Sequence, residues 1–213
     1  MKKALLLVCL FCVAVVAAQS DSVMYVQGFA FKEGIYLSFE QFRTNSPVPK
    51  NVLVSSEDST RMDYLRMVLS KEWIQWRDTS GQLHNMKVSS LWGYSENKVV
   101  YIRYNYVFNR ISVIGKICHF TSYETNYMYT GPGTYPNQQY GTPVESMQQY
   151  ILDADSGRVY AFNPDNMSLL LRRDPQLYNE FSGLRKKQKR DQMFMYLRKY
   201  NERHLLYFPS PYQ

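Results

Sequence analysis

Cys118 sets the first constraint on what this chain can fold into. There are three cysteines, at 9, 12 and 118, and the first two lie in a segment patterned as a secretory signal. Lys2 and Lys3 form its basic start, Ala4 to Val16 its apolar run, and Ala17-Ala18 supply small residues ahead of Gln19-Ser20-Asp21. The apolar run is shorter than the roughly 20 residues of a membrane-spanning helix, so cleavage after residue 18 is expected, leaving no transmembrane segment. A chain left with one cysteine cannot close an internal disulfide, and packing must hold its fold. Val8 and Phe11 precede the signal cysteines where a lipoprotein signal carries a small residue, so no lipid anchor is expected. The expected address is the periplasm, the cell envelope or the medium.

Cleavage leaves 195 of the 213 residues, enough for one large domain or two small ones. Nineteen Tyr and eleven Phe favour sheets with half-buried faces, and also suit exposed recognition surfaces. Gly34 to Leu37 predicts a short strand. Ser38 followed by Gln41 has capping-box spacing, opening a short helix that Asn45-Ser46-Pro47-Val48-Pro49 ends. Tyr64 to Leu69 fits either a helix or a strand. Trp73 to Trp76 and Leu83 to Val88, separated by Asp78-Thr79-Ser80-Gly81, predict a hairpin. Val99 to Phe108 alternates as one long strand, with Val100, Ile102, Tyr104, Tyr106 and Phe108 on one face. One or two strands follow over 111–120, with Gly115 as a bulge or turn.

Residues 121–146 carry three Gly, three Pro and five Tyr without a period, which predicts a long loop, a boundary or an insertion. A hairpin then turns at Asp153-Ala154-Asp155-Ser156-Gly157. Asn163-Pro164 and Asp174-Pro175 each start a helix, Gly183 ends the second, and a third covers about 185–202. In that last helix Met193, Tyr196, Leu197 and Tyr200 share one face; Phe208 to Pro211 reads as an irregular tail. The expected architecture is α+β: a mostly antiparallel β region over 19–120, the loop or insertion at 121–146, then a hairpin and C-terminal helices over 147–208. The last part is separate from 19–120 or forms one domain with it.

Charge is local. The net charge of +7 becomes +5 without Lys2 and Lys3, and Arg185 to Arg203 alone carries +6, leaving −1 elsewhere. Lys186, Lys187, Lys189 and Arg190 are candidate contacts for an anionic surface such as lipid phosphates or an acidic polysaccharide; export disfavours nucleic acid. The bland alternative is a solvated helix in which Asp191 pairs with Lys187. In the 121–146 segment Tyr123, Tyr127, Tyr129, Tyr135 and Tyr140 are candidate stacking residues for a sugar or a partner protein, against the alternative of a tyrosine-rich linker.

Other chemistry is sparse. Cys118 and His119 adjoin, but neighbours on a strand point to opposite faces and cannot form a hydrogen-bonded pair there. His84, His119 and His204 have no metal-ligand spacing, so no metal and no cofactor is expected. Asp153-x-Asp155-x-Gly157 has its glycine fifth rather than sixth, and Pro164 where a calcium loop has glutamate. There is no Gly-x-Ser-x-Gly elbow, phosphate-binding glycine loop or dinucleotide fingerprint.

Gly34-Ile35-Tyr36-Leu37-Ser38-Phe39-Glu40-Gln41-Phe42 resembles the opening of uncharacterised secreted proteins from Bacteroidota-type bacteria. Leu91-Trp92-Gly93-Tyr94 with Val99-Val100-Tyr101-Ile102 resembles their middle signature. Ser156 to Tyr160, Asp174 to Tyr178 and Lys199-Tyr200-Asn201-Glu202 resemble their closing one. The resemblance implies an exported protein and carries no active site. The leading expectation is a non-enzymatic secreted or envelope protein that binds a partner protein or surface glycan. The alternatives are a hydrolase of cell-wall or host polymer using unidentified carboxylates, and attachment to anionic surfaces through the basic helix.

Overall fold

The computed structural model describes residues 22–129 and 141–210. Among them the chain runs β1 (Ser22–Met24), β2 (Gly34–Tyr36), α1 (Phe39–Arg43), β3 (Val48–Pro49), β4 (Leu53–Val54), α2 (Tyr64–Val68), β5 (Trp73–Arg77), β6 (Leu83–Lys87), β7 (Gly93–Glu96) and β8 (Val99–Tyr104). There follow β9 (Val107–Val113), β10 (Ile117–Tyr129), β11 (Gly141–Asp153), β12 (Val159–Ala161), α3 (Pro164–Leu171), α4 (Pro175–Ser182), α5 (Lys186–Arg203) and β13 (Tyr207–Pro209). The fold is α+β. Eight strands form one antiparallel sheet in the order β12-β11-β10-β9-β8-β7-β2-β3; β4-β5-β6 and β1-β13 form two smaller sheets.

Alternation along the strands sends side chains to two buried faces. Tyr36, Val100, Ile102, Cys118, Phe120 and Leu152 enter one cluster, with Phe31, Phe42 and Phe208 of the covering segments. Their neighbours point the other way. Ile35 and Tyr94 meet α2 and the β4-β5-β6 sheet, while Ile117 and Ile151 meet α3, α4 and α5. The large sheet is therefore the middle layer, and the second face is covered in two halves.

Local chemistry explains the ends of the elements. Ser38 caps α1 by accepting from the Gln41 N–H, while Gln41 Oε1 accepts from Leu37 N at 2.7 Å. Asn163 and Asp174 accept from the third residue of α3 and α4, each with proline first in the helix. Residues 64–68 form a helix because buried Glu96 accepts the Leu65 N–H at 2.7 Å, satisfying an early donor.

Three expectations are corrected. The run 99–108 is a hairpin, not a strand: Asn105 and Tyr106 adopt φ 49° and 68° and turn β8 into β9. Two successive positive φ values make the tight turn that follows strand twist, and asparagine tolerates it. Residues 121–129 and 141–146, expected as loop, extend β10 and β11, paired from Thr121↔Gln149 to Tyr129↔Gly141. Backbone pairing overrides their mixed composition. The expected tail holds β13, which pairs with β1 and buries Phe208 completely against Phe29, Phe31 and Phe42 at 5.0, 5.2 and 5.7 Å between ring centroids.

The Asp153–Gly157 turn is fastened to the helices. Asp153 is fully buried and takes a two-pronged bond from Arg173, both contacts 2.7 Å, with Ser156 adding a third donor. Gly157 has φ +73°, and a Cβ there would lie 2.6 Å from the Phe39 ring.

Phe208→Ala is expected to lower unfolding free energy by about 3–4 kcal/mol in urea titrations; an effect below about 0.5 kcal/mol would mean a frayed terminus. Burial alone would raise the Asp153 carboxyl, but the Arg173 and Ser156 bonds outweigh it and hold it below its ordinary 3.8. The unfolded chain then takes up this proton first, so the pair's contribution is present above about 3.8 and is lost as pH falls through the lower folded value. Wild type should lose more stability between pH 5 and pH 3 than Asp153→Asn, which lacks that titration.

Candidate functional site

The sheet has one unsupported part. β9 pairs with β10 at His119 and Phe120, and β12 pairs with β11 at Tyr150 to Leu152. Beyond Phe120↔Tyr150 only β10 and β11 continue among the described residues, as nine further residue pairs. At about 3.4 Å per residue this two-stranded arm is roughly 30 Å long. Such a ribbon, with open edges and no third strand, is marginal alone in water. Its base exposes Tyr123 and Met147, which lie opposite each other and are 61% and 60% accessible.

The β8–β9 turn approaches the arm from the side. Tyr106 at its tip is 91% exposed. Asn105, Tyr106, Tyr123, Glu124 and Thr125 line an open cleft of about 310 Å³. Polar groups in it are held in place: Asn105 Nδ2 donates to Glu124 Oε1 at 3.3 Å, and the Tyr150 hydroxyl donates to the same oxygen. Burial, then the bond to Glu124, push the Tyr150 phenol up to about 12, so it stays a donor near neutrality. Two accessible tyrosines beside a fixed carboxylate and amide can stack on an apolar face and bond to hydroxyl or amide groups.

Among the sequence candidates, Tyr123 is in this cleft. Tyr127 and Tyr129 stand farther along β10, opposite Pro143 and Gly141. Tyr135 and Tyr140 lie outside the described residues. Asn105 and Tyr106 escaped sequence reasoning because 99–108 read as an unbroken strand, and Glu124 because 121–146 read as a loop. The signal present was Asn105, an αL-tolerant residue between two tyrosines.

Lys186, Lys189 and Arg190 line a separate cleft of about 370 Å³ with Pro164 and Asp165, between the starts of α3 and α5. Lys187 is exposed on α5, and no ion pair joins it to Asp191 among the described residues.

Cys118 and His119 do diverge. The Cys118 thiol is fully buried, donates to Gly115 O at 3.2 Å, and is pushed by burial up to about 11. His119 faces the helices, with Nδ1 2.9 Å from Ser112 Oγ and Nε2 3.0 Å from Gln149 Oε1. Burial lowers its pKa, which the Gln149 bond partly opposes. The Phe162 and Phe194 rings pack on it at 5.1 and 4.7 Å. For hydrolytic chemistry, one cleft gathers two carboxylates, Glu40 and Asp155, beside Arg43. Asp155 there is engaged by Lys116 at 2.6 Å and Arg173 at 3.4 Å. Among the described residues no three His, Cys, Asp or Glu side chains are grouped to hold a metal ion, and no helix is long and apolar enough to cross a membrane.

The class these features define is a sheet-centred α+β protein with a projecting arm. Residues 34–204 match DUF6563, a family of unknown function, and the chain belongs to that family. No curated protein and no solved structure matches it. The match begins at Gly34, so β1 lies outside it, and it ends at His204, ahead of β13.

Because Cys118 is buried with a raised pKa, a thiol-specific reagent at pH 8 should label it only in denaturant. Full labelling of folded protein within minutes would contradict this placement.

Proposed function

We propose that this is an exported, non-enzymatic recognition protein whose ligand is a surface glycan, bound where the arm meets the β8–β9 turn. The observation that carries the reading is the convergence of Tyr106 and Tyr123 with Asn105 and Glu124 around one open cleft. Sugar rings present apolar C–H faces flanked by hydroxyls, and such ligands are held by aromatic stacking with a few placed polar groups. The secretory pattern of residues 1–18 supports an address where glycans are met. Rigid tertiary anchoring of Glu124 by Asn105 and Tyr150 supports a pre-formed site.

A protein partner is the second reading, favoured by the open edges of the arm, on which an extended segment could add as a third strand. The two readings separate by experiment. On a glycan array, wild-type protein should bind a defined set of glycans. Tyr106→Ala and Tyr123→Ala should each weaken that binding about tenfold or more, at unchanged circular dichroism. An array without binding, together with capture of a protein dependent on the β10 and β11 edges, would replace the glycan reading with the strand-addition one.

A further inference from the structure

The basic helix α5 has an outward face that the arm cleft does not use and that reaches the core only through the edge of Phe194, whose ring packs on His119 and Phe162. Tyr196, Leu197 and Tyr200 are buried beneath it. Lys187, Arg190, Phe194, Met195 and Arg198 are all exposed, the last four at spacings of three, seven, eight and eleven from Lys187, so they form one outer stripe. Phe194 and Met195 remain 37% and 41% accessible in its middle, with a cation on either side.

The cations are not there for the helix. Five of them, Arg185, Lys186, Lys187, Lys189 and Arg190, crowd the start of α5, the end where the backbone dipole already repels positive charge. No acidic residue occupies the first turn. The ion pairs of α5 involve Lys199 and Arg203 near its other end; among the described residues Lys186, Lys187, Lys189, Arg190 and Arg198 have no carboxylate within ion-pair distance. Lys189 instead sits over the Phe181 ring at 5.8 Å. Asp191 and, four residues after Arg198, Glu202 are exposed acids on the same stripe, and Asp165 is the acid in the adjoining cleft. The segment carries +6 while the rest of the chain beyond the signal carries −1, so this one side holds the positive field.

We infer that the start and the outer face of α5 together dock the protein on an anionic phospholipid surface. Lys186, Lys187, Lys189, Arg190 and Arg198 meet phosphate headgroups, and Phe194 and Met195 enter the interface between them. Charge complementarity points to the anion, and the apolar pair at the centre of the stripe points to a lipid surface rather than a free polyanion. The geometry of the sheet adds to this. Register places Tyr123 and Met147 on the same face of the large sheet as His119 and Ile151, which α5 and its neighbours cover. Where the helices end, that side therefore continues as exposed Tyr123 and Met147. The α5 surface itself shares no residue with the glycan cleft, which adjoins it at Tyr123.

The test is vesicle co-sedimentation of the secreted chain, starting after residue 18, with phosphatidylcholine vesicles containing or lacking phosphatidylglycerol. Binding is expected only to the anionic vesicles, falling at least about tenfold between 50 mM and 500 mM salt. Lys186→Gln, Lys187→Gln, Lys189→Gln and Arg190→Gln together should weaken it about 100-fold. Met195→Ser, which leaves every cation in place, should weaken it several-fold. Should the fourfold variant fold poorly by circular dichroism, Lys187→Gln with Arg198→Gln replaces it, both residues being exposed. The inference is overturned by absence of anionic-vesicle binding at 50 mM salt, by equal binding to neutral vesicles, or by wild-type binding in the folded charge variants. Binding equally weakened by inorganic phosphate at low millimolar concentration, with Met195→Ser unchanged, also overturns it in favour of a soluble phosphate ligand.

Discussion

Burial of the eight-stranded sheet on both faces is the constraint that organises this molecule. Ile35 and Tyr36, Ile117 and Cys118, and Ile151 and Leu152 are successive residues with essentially no exposure, so neither side of the strands can meet water. Each face then needs a cover, and among the described residues the one cysteine, Cys118, is free. One cover combines α1 with the β1-β13 ribbon, through a contiguous group of Phe29, Phe31, Phe42, Trp92 and Phe208 rings. The other is divided between the β4-β5-β6 sheet with α2 and the three C-terminal helices. Asp153 with Arg173, and Asp174 with Arg203 and His204, tie the last cover to the sheet and to itself.

Both candidate surfaces follow from where that covering stops. The arm is the continuation of β10 and β11 past the last strand that supports them, so Tyr123 and Met147 at its base stay accessible. Its neighbour, the Asn105–Tyr106 turn, contributes the ring and amide that make a cleft of an otherwise flat ribbon. The outer face of α5 arises differently: its inner stripe is used in the core, and the opposite stripe carries cations that form no ion pair among the described residues. One side of the molecule thus offers aromatic and polar groups, and a cationic helix with apolar residues at its centre.

Much of the local structure was legible in the chain. Ser38, Asn163 and Asp174 marked three helix starts, and Gly183 one helix end, because capping is decided within a few residues. The hairpin around Asp78 to Gly81 was readable for the same reason. The long strand over 99–108 was misread because alternation persists across a two-residue turn; Tyr106 continues the apolar pattern yet lies at a turn tip. Residues 121–129 and 141–146 were misread because strands paired mainly with each other need no apolar face, so no period announces them. Phe208 gave no signal either, since β13 has its strand partner at the far end of the described chain, in β1.

The sequence by itself determined an α+β composition, a single cysteine among the described residues, the positions of the capped helices and the concentration of the net positive charge in one helix. These are properties of spacing and residue type, and they hold whatever the strands pair with. Tertiary structure decided the rest: that one sheet spans the protein, that Glu124 is set between Asn105 and Tyr150, and that Tyr106 and Tyr123 line one cleft. Those outcomes depend on contacts between residues far apart in the chain, whose formation rests on the pairing of whole strands and leaves no trace in any local window.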